Sequence, residues 1–315
     1  RNFGLIGVYV LEPAEPLPPM TQEDLEFERF QIKAVSAIEE ELDRILKTRK
    51  QSRIQTIADM VIRNYGHLDE KINFYQNLRS LEDYVSRHSL NVAILCAMIT
   101  HVMNIRREEQ YHTVCAALLH DMGKLKKHED VYFGAPYSRE DAIRNCETQE
   151  EAYSVIEDAF ATEGPAIRRI CQQAAGKQLD LFPEEGKESR YKMLEGSNVL
   201  LVANRYDEIT AMTLQGTAQS EVKAAQELLE HPEVYDPETV QALLRSINIL
   251  PPGASVELST GEKALVLSEN EENVLRPTVV SFRDNSILNL ALPQNEDIQI
   301  VDVMKTMDNR YILKK

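Results

Sequence analysis

A histidine followed directly by an aspartate, His120-Asp121, is the pair of side chains in this sequence best suited to chemistry. It ends an apolar run at residues 114–119 that predicts a buried helix, and Gly123 follows as a helix stop signal. An imidazole and a carboxylate at the mouth of a buried helix lose hydration energy unless something compensates them, and a divalent cation would do so. Because the dipeptide alone is weak evidence, a metal site is predicted only if neighbouring helices supply further ligands.

Two other predicted helices carry suitable side chains. His88 shares one face of the apolar helix predicted at 81–105, and Asp207 is the polar exception on a face of the helix predicted at 197–211. A histidine in this position is usually a hydrogen-bonded core residue. Here, however, one short polar turn joins the helix of His88 to that of His120, so both imidazoles can reach one point. A buried carboxylate such as Asp207 is costly without a cation nearby.

Four side chains on three apolar helices therefore form a predicted metal site: His88, His120, Asp121 and Asp207. Two imidazoles and two carboxylates make a mixed nitrogen and oxygen site, which suits manganese, iron, zinc or magnesium. The alternative interpretation is that these are four unrelated buried polar groups.

Composition and charge limit the classes of function. The chain has 315 residues, 43% of them hydrophobic, which suffices for a substantial core in two or three domains. Its 51 acidic and 35 basic residues give a net charge of −16, which argues against binding nucleic-acid polymers or anionic membranes. A small anionic substrate held by a metal remains compatible with this charge. No apolar run is long enough to span a bilayer, no signal peptide is evident, and the four cysteines have no framework spacing, so we expect a reducing, cytoplasmic setting.

The chain is predicted to be mainly α-helical, in three parts. Residues 1–78 contain a strand-like opening that looks like the end of a missing module, a proline-rich linker and two helices, from Thr21 to about Lys47 and from Ile54 to Leu78. The first of these helices is either a solvated connector or the contact surface of a homodimer. Residues 79–250 form a helical domain, and residues 251–315 form a small antiparallel β unit with turns at Thr260-Gly261 and Asp284-Asn285.

The order H…HD…D resembles the HD phosphohydrolase superfamily. Four stretches are more specifically similar to its HD-GYP branch: YVSRHSLNVA at 84–93, LLHDMGK at 118–124, VANRYDEITA at 202–211 and PPGASVELSTGEKALVLSENEENVLRP at 251–277. The resemblance covers roughly residues 79–283. It implies an HD-domain helical bundle that acts as a metal-dependent phosphodiesterase and opens cyclic di-GMP or related cyclic dinucleotides.

The resemblance also implies catalytic roles. Asp121 would act as general base if a second metal is present, and Lys124 would lie near the substrate phosphate and stabilise the negative oxygens of the transition state. The alternative for Lys124 is a base at the end of a helix that complements the helix dipole.

The sequence departs from the HD-GYP pattern between residues 143 and 183. Cys146, in IRNCETQEE, stands where the family has a histidine of a further metal site, and Cys171-Gln172-Gln173 stands where it has His-His-Glu. Leu181-Phe182-Pro183 replaces the Gly-Tyr-Pro substrate loop, of which Phe182 and Pro183 would remain as substrate-loop residues. Cys146 and Cys171 are either ligands of a modified second metal site or small residues that fill space.

These observations predict a metal-dependent phosphohydrolase or phosphodiesterase with reduced activity towards a cyclic dinucleotide or nucleotide substrate. The alternative is a catalytically degenerate module that binds nucleotides or serves in signalling or as a scaffold.

Overall fold

The computed structural model describes residues 22–74, 76, 78–126, 138–182, 192–213 and 218–304. These residues form nine α-helices and a C-terminal five-stranded antiparallel sheet, which confirms the predicted mainly helical fold class. The chain divides into two compact units. One spans Glu28–Ile249, and the other combines Arg1–Phe27 with Leu250–Lys315.

The helices are separated by connections of different lengths along the chain. Their bounds are α1 Gln22–Thr48, α2 Ile54–Tyr65, α3 Tyr84–Val102, α4 Arg107–Leu119, α5 Arg139–Phe160, α6 Gly164–Gln178, α7 Glu195–Thr210, α8 Glu221–Glu230 and α9 Pro237–Ser246. A 3-10 turn, Met122–Lys126, follows α4 directly. Helices α3, α4 and α7 pack on one another, and α6 packs on α4 and α7.

Helix α3 is buried on all sides. Every residue from 84 to 100 is buried except Arg87, and residues 113–119 of α4 are buried as well. A helix with this pattern lies in the interior, because it has no face to turn towards water. Any polar side chain that points inward from α3 or α4 must therefore find its partners inside the protein.

The second predicted helix ends earlier than expected. The sequence predicts a helix from Ile54 to Leu78, whereas α2 stops at Tyr65. Gly66 caps its C-terminal end and donates its backbone N–H to the Ile62 carbonyl oxygen at 2.8 Å. The described residues between 66 and 83 form turns and isolated bridges rather than a helix.

The first predicted helix matches α1, and its face at Ile38, Leu42 and Ile45 is completely buried within this chain. The strand-like opening and the proline cluster lie outside the described residues. Among the helices that the structure describes, none is long and apolar enough to cross a membrane.

The C-terminal strands fall where alternating apolar residues predict them. They are β1 Ser255–Leu258, β2 Lys263–Ser268, β3 Thr278–Ser281, β4 Ile287–Asn289 and β5 Ile300–Val303, in the sheet order β4-β3-β2-β1-β5. Both predicted turns contain a residue in the left-handed region, Gly261 at φ +78° and Asn285 at φ +59°. Glycine and asparagine adopt this conformation more readily than other residues, so the turns define the register of the strands they join.

The start of α9 offers a test of the helical unit. The Asp236 carboxylate accepts hydrogen bonds from the Thr239 backbone N–H at 2.9 Å and from its hydroxyl at 2.7 Å. We expect Asp236→Ala to lower the free energy of unfolding by about 1 kcal/mol, since it leaves a helix N–H without its cap. Urea unfolding monitored by circular dichroism would measure this loss. Asp236→Ser keeps a capping oxygen and should recover most of the stability, whereas equal losses for both variants would contradict the capping role.

Candidate metal centre

Three helices at the centre of the helical unit bring the predicted ligands together. His88 lies in the second turn of α3, His120-Asp121 directly follow α4, and α7 carries Asn204 and Asp207. Helices α3, α4 and α7 all pack on one another. All five side chains are therefore held by the most deeply buried part of the fold.

His88, His120 and Asp121 form a tight buried group. Each of them offers a ligand atom, and these atoms all lie within 4.8 Å of one another. The two Nε2 atoms are 3.1 Å apart, and carboxylate oxygens of Asp121 lie 3.5 Å from Nε2 of His88 and 3.7 Å from Nε2 of His120. Among the described residues, no other group of three or more histidine, cysteine, aspartate and glutamate side chains comes together in this way.

Both imidazoles turn a lone pair towards this group. Nδ1 of His88 lies 2.6 Å from a carboxylate oxygen of Asp207, and Nδ1 of His120 lies 2.8 Å from the carbonyl oxygen of Ala117. Both partners can only accept, so each ring donates through Nδ1, and a ring with a single proton then presents Nε2 as an acceptor. Burial lowers the pKa of His120, which favours the neutral ring.

Asn204 supplies a further acceptor, which the sequence analysis did not predict. Its Nδ2 points towards Glu208 at 3.3 Å and Gln178 at 3.5 Å, so Oδ1 faces the imidazoles at 2.8 Å from His88 and 3.0 Å from His120. Its position one helical turn before Asp207 is the sequence signal that could have revealed it.

This arrangement of acceptors fits a divalent cation. Four side chains direct lone pairs at one point, and neither neutral ring has an N–H to place between them. Ligand atoms bound to one ion at about 2.1 Å lie roughly 3 Å apart, close to the spacing of the two Nε2 atoms and Oδ1 of Asn204. A cation is therefore the partner that would satisfy them together.

The structure does not bring Asp207, a predicted ligand, into this group. Its carboxylate lies behind His88 and is held by the Arg79 guanidinium through two contacts of 2.7 and 2.8 Å. Burial opposes ionisation of this carboxyl, but the nearby Arg79 charge prevails and lowers its pKa below the usual range. The positive charge that the sequence analysis sought in a metal is thus supplied by Arg79, which lies just beyond the helix predicted from Ile54 to Leu78.

Asp121 is held in place by two neighbours. Lys124 Nζ lies 2.7 Å from one carboxylate oxygen, and Gln149 Nε2 donates to the other at 3.1 Å. Burial raises the pKa of Asp121, but Lys124 and the two imidazoles outweigh it, so the pKa lies well below its ordinary value. Lys124 is itself buried, so it is not a solvent-exposed base at the end of a helix.

Gly123 allows the turn that carries His120 and Asp121 to lie directly against α5. Its N–H donates to Oε1 of Gln149 at 2.9 Å, and a Cβ at position 123 would lie 2.6 Å from the Thr148 carbonyl oxygen. The glycine that the sequence marks as a helix stop therefore also permits close approach of two backbones.

A cavity of about 40 Å³ opens beside the group. Polar and apolar side chains both line its wall, and the polar ones include His120, Asp121, Lys124, Asn145, Gln149, Gln178, Asn204 and Glu208. The thiols of Cys146 and Cys171 also line it. This space is close to the volume of one or two water molecules. It provides room for a small ligand next to Asp121 and Lys124.

The two cysteines are poor ligands in this position. Burial raises the pKa of both thiols, and the acidic side chains of Glu150 and Glu147 raise that of Cys146 further. The Cys171 thiol contacts the Ala116 carbonyl oxygen at 3.6 Å. Because metals bind the thiolate, these surroundings favour the interpretation that both residues fill space.

The structure describes only part of the predicted substrate loop. Phe182 is half-buried at the end of the turn after α6, and Pro183 lies outside the described residues.

Comparison with known protein families finds a match in the region that carries the proposed ligands. Residues 85–212, from α3 to just beyond α7, match the family described as HD domain. This part of the chain is therefore similar to HD domains. The matched residues include His88, His120, Asp121 and Asn204, and the match does not resolve the HD-GYP branch. Neither the curated proteins nor the solved structures contain a match to the chain.

The space-filling interpretation of the cysteines can be tested directly. We expect Cys146→Ser and Cys171→Ser to leave the metal content of the HD domain unchanged, because neither thiol belongs to the group of converging ligands. Elemental analysis of the purified variants beside the wild-type protein would measure this. A variant that lost one equivalent of metal while keeping another would instead establish a second site.

Proposed function

We propose that the HD domain hydrolyses a phosphoester bond of a nucleotide, using one divalent cation held by His88, His120, Asp121 and Asn204. The observation that carries this proposal is the convergence of two Nε2 atoms, an amide oxygen and a carboxylate on one buried point. In this proposal Asn204 takes the fourth position that the sequence analysis gave to Asp207.

The surrounding residues support hydrolysis of a phosphate ester. When bound, the cation lowers the pKa of a water molecule and polarises a phosphoryl oxygen. Asp121 keeps its ionised carboxylate towards the cavity, and Lys124 places a positive charge beside it. That charge stabilises phosphate oxygens as negative charge builds up in the transition state.

The charge of the site predicts moderate affinity for the cation. Asp121 is the only anionic group among the four proposed ligands, and Lys124 lies 2.7 Å from it. The charge of Asp207 is compensated by Arg79 at the same distance. Since affinity for hard cations rises with the charge of the ligands, this site should bind its metal less tightly than one with two free carboxylates.

The resemblance to the HD-GYP branch makes cyclic dinucleotides the first substrates to test. One metal can activate water, but it cannot clamp both the attacking and the leaving oxygen as a metal pair does. Cys146 and Cys171, which replace family histidines, lie on the cavity wall with raised pKa values. We therefore propose slow turnover of cyclic dinucleotides, with simple nucleotides as further candidates.

A binding or signalling module is the second candidate function. The neutral Asn204 and the small cavity favour it, because the same contacts would hold a phosphate group without reaching a high rate of hydrolysis. Lys124 and the cation would then serve recognition alone.

The central prediction joins metal content to hydrolysis. We expect the wild-type protein to bind about one divalent metal per chain and to hydrolyse a substrate from a panel of cyclic dinucleotides and nucleotides when manganese or iron is supplied. His120→Ala combined with Asp121→Ala should abolish both properties and lower the melting temperature. Elemental analysis, thermal unfolding and hydrolysis assays would measure them.

The outcomes separate the candidates. Nucleotide binding with no turnover, even with metal restored, would contradict the enzyme and favour the binding module. A double variant that kept both its metal and its melting temperature would show that the ligand group is wrongly assigned.

Asn204 provides a second test of the site. We expect Asn204→Asp to increase manganese affinity by about tenfold, because it adds a negative charge to the ligands. Without metal, the new carboxylate would face Glu208 and reduce stability. The rise in melting temperature on adding manganese should therefore be larger than in the wild type. Asn204→Leu has a similar size without an oxygen and should weaken binding, whereas three equal affinities would exclude Asn204 from the metal site.

A further inference from the structure

We infer that Arg79 is a positioning residue for the metal site, which it controls through Asp207 and His88 without contacting the cation itself. The inference rests on the proposed function, since it takes His88 as a metal ligand. Arg79 precedes residues 85–212, so it lies outside the part of the chain that matches the HD domain.

Arg79 is fixed in the interior. Its side chain is 1% exposed, and its backbone N–H donates to the Met212 carbonyl oxygen at 2.8 Å. The guanidinium carbon lies 5.4 Å from the centre of the Tyr84 ring, and Nη2 donates to Oε1 of Gln76 at 2.6 Å. The guanidinium therefore has one defined orientation, with two N–H groups directed at Asp207.

Asp207 passes this constraint to His88. One carboxylate oxygen accepts from Arg79 at 2.7 Å and from Nδ1 of His88 at 2.6 Å, and the other accepts from Arg79, Gln76 and Asn91 at 2.8, 2.8 and 3.0 Å. Five donors on two oxygens fill the capacity of a carboxylate, which has about four lone-pair sites. Asp207 is therefore held by these donors, and it cannot turn towards the group of His88, His120 and Asp121 without losing these hydrogen bonds.

The position of the His88 ring follows from this shell. Asp207 holds the proton on Nδ1, and Tyr84 stacks on the ring with centres 5.5 Å apart and planes at 28°. Nε2 is thereby directed at His120 and Asn204 with its lone pair available. Groups that orient a metal-binding histidine in this way commonly change metal affinity by 10- to 100-fold when they are replaced.

An arginine is required for this role because of its shape. A guanidinium presents parallel N–H groups that match both oxygens of a carboxylate, whereas a lysine ammonium acts as a single point charge. Arg79→Lys keeps the positive charge but loses the two-point clamp, so it separates orientation from simple charge compensation.

Manganese(II) alone is the probe for the test. We expect Arg79→Lys to raise the manganese dissociation constant by about 10- to 100-fold in isothermal titration calorimetry of the full chain. In a His88→Ala background, whose own affinity is reduced, the same change should have almost no further effect, since Arg79 acts through His88.

Glu41→Gln is the matched control for a loss of stability alone. Glu41 is another buried carboxylate of the helical unit, and it accepts hydrogen bonds from the backbone N–H of Ser52 and of Arg53. This variant should lower the melting temperature of the metal-free protein and leave manganese affinity unchanged. If Arg79→Lys behaves in the same way, Arg79 is a structural ion pair and the inference is overturned.

If Arg79→Lys does not fold, a milder variant can test the same inference. Gln76→Leu removes one bond to Asp207 and one to Arg79 from a half-buried position, and we expect a weakening of manganese binding by a few fold. Unchanged affinity would again contradict the inference.

Absence of manganese binding by the wild type would overturn the proposed metal site as well. Binding that depends on Arg79 but leads to no hydrolysis would support this inference and leave the binding module as the function.

Discussion

Two imidazole nitrogens that face each other at 3.1 Å in the buried core are the constraint on which this site depends. Each ring directs Nδ1 at an acceptor on its far side, so a ring with a single proton has no N–H left for the atom that it faces. Buried polar atoms of this kind are costly unless a partner satisfies them. Helices α3, α4 and α7 bring them together all the same, and the shells around Asp121 and Asp207 hold them there.

Two carboxylates near these rings have different tasks because their surroundings differ. Asp121 keeps its oxygens within 4 Å of both Nε2 atoms, with Lys124 and Gln149 as its supports. Asp207 is enclosed by donors and faces the opposite side of His88. Both pKa values lie below the ordinary range, so ionisation alone does not distinguish a ligand from a supporting residue. The direction in which the oxygens point makes the distinction.

The sequence predicted those parts of the site and fold whose residues stand out from their neighbours. A histidine or a carboxylate on an otherwise apolar helix is conspicuous, which is why His88, His120 and Asp121 were found together and why the strands after residue 251 were placed correctly. Asn204 was not predicted as a ligand because an asparagine on a helix does not stand out from its neighbours in a sequence. Arg79 was not predicted because it lies just beyond the helix predicted at 54–78 and reaches its carboxylate only through the tertiary fold. Its pairing with Asp207 spans 128 positions of the chain, which no local pattern reports.

The close approach at Gly123 gives the helical unit a mechanical property. The turn that carries His120 and Asp121 rests directly on the backbone of α5, and the same helix supplies Asn145, Cys146 and Gln149 to the cavity wall. No side-chain layer separates the two, so nothing between them can compress or repack to absorb a displacement. The wall that would touch a substrate and the turn that would hold the metal therefore behave as one rigid part. A single added methyl group at position 123 would push the turn and α5 apart. In mutational scanning, substitutions of Gly123 should therefore be as damaging as substitutions of a metal ligand, although Gly123 offers no atom to the metal or to a substrate.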